Sequence, residues 1–154
     1  MKGDPKIIDT LNERLIDEAT GIAQYLAHRA TLNVWEYPKL VDYINERIED
    51  ERRHFDILAE RIVFLEGTPA VGVLNEVNVG GYVRQMLGND LAVEVAAIEN
   101  YRESIQLCLE CGDAKTRTLL ESILSDEDDH TRDIEALILQ VNQMTAQNFL
   151  SAKI

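Results

Sequence analysis

The sequence predicts an all-α protein, a four-helix bundle with one long crossover at residues 67–81 and a short fifth helix at its C-terminal end. Three observations carry that expectation. Helix punctuation clusters at Pro5, at Pro38 and in the block Gly67, Pro69, Gly72, Gly80 and Gly81, leaving segments of about 30 residues that read as helices. Apolar residues recur at spacings of three and four along each of these segments. Strand-like alternation is confined to VGVLNEVNV in the long middle link.

The first segment, about 5–35, opens on Pro5, which suits a first helical turn because its missing N–H would be unpaired there in any case. The second, about 38–66, opens the same way on Pro38, with Gly67 as its expected C-terminal cap. The third, about 82–111, is stopped by Gly112, and the pair Gly88 and Asn89 marks an expected irregularity inside it. The fourth covers about 113–144, and the tail QNFLSAKI supplies one or two further turns. Links of a few residues join the first segment to the second and the third to the fourth, which forces each pair antiparallel. The middle link has 15 residues. Extended at about 3.3 Å per residue it reaches roughly 50 Å, against roughly 42 Å for a helix of about 28 residues. It can therefore run the length of the bundle, which a plain up-down arrangement does not require.

Composition bounds function. The 154 residues carry 28 acids against 15 bases, a formal charge of −13. One acidic domain spanning residues 1–154 is expected, long enough to bury roughly 68–70% of its unfolded surface without disulfides. Nucleic acid is a poor partner, being itself a polyanion with no basic run here to displace its counterions. Metal cations suit the field better. No stretch approaches the roughly 20 apolar residues of a membrane span. The opening MKGDPKII has neither the apolar core nor the small-residue cleavage site of a signal peptide, so a cytoplasmic location is expected. Cys108 and Cys111 are too few for a secreted disulfide scaffold.

Six polar residues interrupt the apolar stripes. The first stripe runs Ile8, Leu11, Leu15, Glu18, Ile22, Tyr25, so Glu18 stands where a leucine belongs. The second runs Ile44, Ile48, Glu51, Phe55, Leu58, with His54 one turn from both Glu51 and Leu58. The third carries Glu94 between Leu91 and Ile98, and the fourth carries Glu127 and His130 between Ile123 and Ile134. Four unpaired carboxylates in an apolar interior would cost several kcal/mol each, so a cation is required, and no lysine lies on the stripes near them. Two divalent ions would balance four carboxylates, with two neutral imidazoles completing the set. Glu51 to His54 and Glu127 to His130 are both i, i+3, which places each pair on one helix face. A glutamate from each of two helices plus Glu-x-x-His from each of the other two is the established pattern of carboxylate-bridged di-iron and di-manganese sites in bundles of the ferritin-like type.

The spacing repeats as well. Glu18 to Glu51 and Glu94 to Glu127 are each 33 residues, so the second helix pair copies the first at a displacement of 76. Tyr25 and Tyr101 each follow their glutamate by seven residues, and Asp50 and Asp126 each precede theirs by one. The aspartates are candidate acceptors for the outward ring N–H of the histidines. The tyrosines are either partners of the ligands or core aromatics whose hydroxyls need a buried acceptor. His28 falls off the Glu18 face and reads as structural.

From end to end the chain resembles the bacterioferritin family. The resemblance is carried by MKGDPKIIDTLN, QYLAH around Tyr25, Trp35, ERIVFLEGTP, MLGNDLAVE before Glu94 and the closing QNFLSAKI, and Glu18, Glu51, His54, Glu94, Glu127 and His130 match the family's six ferroxidase ligands one by one. It implies iron at a di-iron centre within each subunit and oxidation of Fe2+ to Fe3+ by oxygen or peroxide. It also implies storage of ferric mineral in a homo-oligomeric shell of 24 subunits, with an electron-donating ferredoxin as release partner. Such a shell would carry a charge on the order of −300, a field that concentrates Fe2+.

Two departures are expected to matter. The family holds haem between subunits through a methionine directly after the glutamate of the second helix, where this chain has Arg52, and its methionines are Met1, Met86 and Met144. A guanidinium stays protonated and offers no lone pair to haem iron, so a haem-free protein is expected, or a haem-free subunit of a shell mixed with a haem-binding one. The family also uses an acid and a histidine on the inner face of the second helix; Asp50 matches the acid while Glu46 replaces the histidine, leaving Glu46 and Asp50 as a candidate inner iron site. The rival reading is a non-storage di-iron oxidase or peroxidase of the rubrerythrin-like type. Rubrerythrin would carry two C-x-x-C pairs, and this chain has only Cys108 to Cys111, at a helix C-terminus where the dipole disfavours a thiolate. A purely structural ion site in a non-enzymatic shell subunit is the other rival, and the presence of all six ligands argues against it.

Overall fold

A computed structural model describes residues 2–154; Met1 lies outside them. The chain forms α1 (Pro5–Val34), α2 (Pro38–Phe64), α3 (Val83–Cys111), α4 (Ala114–Met144) and the short α5 (Ala146–Ser151), with no strand among the described residues. The ferritin-like four-helix bundle predicted from the stripes is the observed architecture. α1 pairs with α2 and α3 with α4, while α1 also lies against α3. The cross-links between α1 and α3 run antiparallel, from Thr10–Ser104 at one end to His28–Asp90 at the other.

Helix ends follow local chemistry. Asp4 caps α1 by accepting the Lys6 N–H at 2.9 Å, with Pro5 in the first turn. Asp113 caps α4 by accepting from Thr116 N at 2.9 Å, and Gly112 ends α3 with φ of 71°. Gly67 behaves differently from its expected role. The left-handed residue that ends α2 is Glu66, at φ 63°, and Gly67 follows it, donating its N–H to the Ile62 carbonyl at 2.9 Å. The glycine is needed for space instead, because a Cβ there would stand 2.7 Å from Ile8 Cγ2. The irregularity expected at Gly88 and Asn89 is absent, since α3 runs through both without a break.

Glu36 ends α1 in the same left-handed conformation, at φ 60°, and is exposed. That backbone shape costs a residue with a Cβ about 1–2 kcal/mol, part of which glycine returns through its looser unfolded chain. Glu36→Gly is therefore expected to raise stability by roughly 0.5–1 kcal/mol. An upward shift of the urea midpoint checks this, and a downward one would contradict it.

The crossover lies along α1, tied down by polar side chains of that helix. Asn12 accepts the Ala70 N–H at 2.8 Å, Thr20 accepts from Asn75 N at 3.0 Å, and Gln24 accepts from Asn78 N at 3.0 Å. His28, fully buried, ends the series by accepting the Gly80 N–H on Nε2 at 3.2 Å, which leaves Nδ1–H to donate to Asp90 at 3.1 Å. Its structural reading is thus given a definite task. Without such acceptors an extended segment pressed on a helix would leave backbone N–H groups unpaired.

Two apolar clusters fill the bundle. One holds Leu11, Leu15, Leu58, Ile62, Tyr101, Leu120 and Ile123; the other holds Tyr25, Leu32, Ile44, Leu87, Ile134 and Phe149, the last from α5. Between them the core is polar.

Candidate metal centre

The six predicted residues form that polar layer. Glu18, Glu51, His54, Glu94, Glu127 and His130 are all buried, none more than 5% exposed. They fall into two overlapping sets, Glu18, Glu51, His54 and Glu127, and Glu51, Glu94, Glu127 and His130, whose ligand atoms lie within 4.8 Å of one another in each set. Glu51 and Glu127 belong to both sets. Two cations bound here would share these two carboxylates, with Glu18 and His54 completing one shell and Glu94 and His130 the other.

The inward atoms are arranged as co-ligands. His54 Nδ1 lies 3.0 Å from Glu127 Oε1 and 3.5 Å from Glu18 Oε2, and His130 Nδ1 lies 3.3 Å from both Glu51 Oε1 and Glu127 Oε2. Despite these distances Glu18 Oε2, Glu51 Oε1, both Glu127 oxygens and the two Nδ1 atoms are not aligned in hydrogen bonds. They converge on common points rather than on each other. Six unsatisfied buried atoms in one layer would be costly in any protein not built to hold a cation there.

The outward nitrogen of each histidine is occupied. His54 Nε2 faces Asp126 at 3.0 Å and His130 Nε2 faces Asp50 at 3.3 Å, which fixes each ring with its other nitrogen inward. The pairing is crossed: each aspartate serves the histidine of the opposite helix rather than its own. Arg53 donates to both aspartates, at 3.0 Å and 3.2 Å. The tyrosines cross in the same way, Tyr25 donating to Glu94 and Tyr101 to Glu18. Burial pushes both phenols well above their ordinary range, so they remain donors. Glu46, by contrast, is exposed, and Asp50 is engaged by Arg47 at 3.3 Å, by Arg53 and by His130.

With protons as the only available cations, the layer shares charge unevenly. Burial alone would lower both histidines, but the carboxylates facing them prevail, holding His54 up to about 10 and His130 up to about 12. Burial lifts Glu127 to about 7, while burial and the neighbouring glutamates raise Glu51 well above the carboxylate range. Burial also acts to raise Glu94, but contacts with His130, Glu127 and Tyr25 leave it lowered. A divalent ion needs neutral imidazole and ionised carboxylate, so it must displace the protons on His54 and His130 at neutral pH. Binding of a cation pair is expected to release at least two protons per chain, one from each histidine, with any proton held by Glu51 or Glu127 in addition, so the overall constant should rise by at least about a hundredfold per pH unit between about pH 6 and 8. Anaerobic Co2+ titration in weak buffer checks this; release of fewer than two protons per chain would contradict it.

A bundle with one long crossover and this midplane defines a ferritin-like protein, and the ferritin-like domain pattern matches residues 8–144. Among relatives, the bacterioferritin of Rhodobacter capsulatus is 36% identical over 149 residues, 97% of this chain and 92% of that one. That of Brucella melitensis biotype 1 is 36% identical over 130 residues, covering 84% and 81%, and that of Mycobacterium leprae 31% over 144 residues, covering 94% and 91%. The chain belongs to the bacterioferritin family.

Spacing alone did not reveal the crossed partners. The internal repeat placed Asp50 and Asp126, and Tyr25 and Tyr101, but not which ligand each would reach. Arg53 was missed altogether, because its counterpart 76 residues on is Asp129 and breaks the repeat.

Proposed function

We propose that this chain is a ferroxidase subunit that oxidises Fe2+ at the six-residue layer and stores the product as ferric mineral inside a shell of 24 copies. The observation that carries the reading is the sharing of Glu51 and Glu127 between two ligand sets. It keeps two substrate ions adjacent, so two electrons can go to one oxidant molecule. Two Fe2+ with O2 and two protons give two Fe3+ and hydrogen peroxide; with peroxide as oxidant and two further protons the products are two Fe3+ and two waters. Tyr25 and Tyr101 hold one oxygen of each terminal glutamate and leave the other for the ion. Asp50 and Asp126 orient the histidines.

Haem does not fit the position the family uses for it. Arg52 stands there, exposed and paired with Glu49 at 3.1 Å and Asp56 at 2.8 Å, and neither Met86 nor Met144 lies on α2. The homogeneous protein is therefore haem-free, and a mixed shell would take its haem from a methionine-bearing partner subunit. An inner iron site would rest on exposed Glu46 with Asp50, whose oxygens would have to exchange Arg47 and Arg53 for the ion; a ferredoxin supplies electrons for release, and the shell works in the cytoplasm. No helix among the described residues is long and apolar enough to cross a membrane.

Light scattering on the iron-loaded protein tests the storage half of the proposal. Twenty-four chains of 17.5 kDa predict a particle of roughly 420 kDa that takes up iron far beyond two ions per chain. A small oligomer holding about two ions per chain and no mineral would replace it with the non-storage di-iron oxidase reading.

A further inference from the structure

One cavity of about 280 Å3 leads from the outer face of α1 and α3 to the polar layer. Its floor is Glu18, Glu51 and Glu94, and its α3 wall includes Ala92, Ala96 and Ala97, whose short side chains leave the passage open. Glu18, Glu51 and Glu94 are each at least nine-tenths buried, so this floor is the near side of the ligand layer itself. The volume is far above the roughly 10–15 Å3 that a single water needs, so a hydrated ion has room to enter.

The crossover supplies the rim. Asn75, Glu76 and Asn78 line the mouth opposite α3. Asp17 also lies there, but its carboxylate is committed to Arg14 at 2.8 Å, Asn75 at 2.8 Å and Asn100 at 3.0 Å. Those bonds fix the rim in place and spend the charge of Asp17 on it. Glu76 is different: it is exposed, lines the same mouth and has no ion pair or hydrogen-bond partner among the described residues. It is the carboxylate at the entrance still available to a cation.

We infer that Glu76 is a capture residue, drawing divalent cations into the α1–α3 cavity on their way to the layer below. This rests on the two-cation reading of that layer. Glu76 acts on arrival and is not a ligand at the destination. A single charge some 6 Å from a divalent ion in water, partly screened, alters arrival by about three- to tenfold. The effect must fade as salt rises.

The test is anaerobic stopped-flow absorbance of Co2+ binding to the intact assembly, run on the parent protein, E76Q and Ala96→Leu. E76Q should slow association about three- to tenfold at low ionic strength, with the difference shrinking at high salt, while the endpoint stays at about two Co2+ per chain. Ala96→Leu, which narrows the passage without changing charge, should slow association at every salt concentration. Unchanged association in E76Q, or a lowered endpoint, would overturn the capture role. Failure of the parent protein to bind two Co2+ per chain would instead overturn the two-cation reading on which it rests.

Discussion

Glu51→Ala and Glu127→Ala are each expected to abolish the rapid phase of Fe2+ oxidation, by at least about a hundredfold, while assembly survives. The magnitude follows from position: each carboxylate belongs to both ligand sets, so its loss weakens both ions and the link between them. Changing a residue that merely orients a ligand commonly costs 10–100-fold, and a shared ligand should cost more. Stability should move the other way. Glu51→Gln keeps the side chain's size but removes a buried carboxylate whose ionisation burial and its neighbours oppose. Its thermal midpoint in the presence of a chelator should therefore equal or exceed that of the parent. Loss of function with gain of metal-free stability identifies a group retained for binding rather than folding. Unaltered rapid kinetics in both alanine variants would refute the assignment.

Asp90→Ala is expected to cause a large loss of stability. Asp90 is 1% exposed and accepts from Gln24 Nε2 at 2.8 Å and from His28 Nδ1 at 3.1 Å. Removing it strands two buried donors at about 1–3 kcal/mol each, so roughly 2–4 kcal/mol in all. For a domain of this size that is a fall in Tm of about 5–15 °C. The effect should spread along the chain, because Gln24 and His28 also hold Asn78 N and Gly80 N of the crossover. Amide exchange at residues 78–80 should accelerate more than exchange in α2. A Tm within 2 °C of the parent would show that the network is not what anchors this end of the crossover.

Much of this was legible in the sequence, for physical reasons that can be named. Glu18, Glu51, Glu94 and Glu127 announce themselves because carboxylates on apolar stripes are expensive, and the two i, i+3 histidines because a helix puts that spacing on one face. The 15-residue link is long enough to run the length of the bundle, which favours the crossover over a plain up-down arrangement that would not need it. Helix interiors resisted less than helix ends: Gly88 proved harmless within α3, whereas Glu66 took the left-handed conformation that Gly67 was expected to adopt. At Gly67 the absent Cβ matters because Ile8 approaches from α1, a tertiary contact that no local signal encodes. The His28–Asp90–Gln24 network and the crossed aspartates were hidden for the same reason. Each joins residues more than 50 positions apart whose faces meet only after the bundle closes.

The central claim is that two Fe2+ ions are oxidised together within one chain. Stopped-flow absorbance after mixing the assembled protein, preloaded anaerobically with increasing Fe2+, with oxygenated buffer tests it most directly. The account predicts a fast phase whose amplitude saturates at about two Fe2+ per chain and which vanishes when Zn2+ is bound first, because both compete for the same carboxylates and imidazoles. A fast phase saturating at one ion per chain, or one indifferent to prior Zn2+, would contradict it.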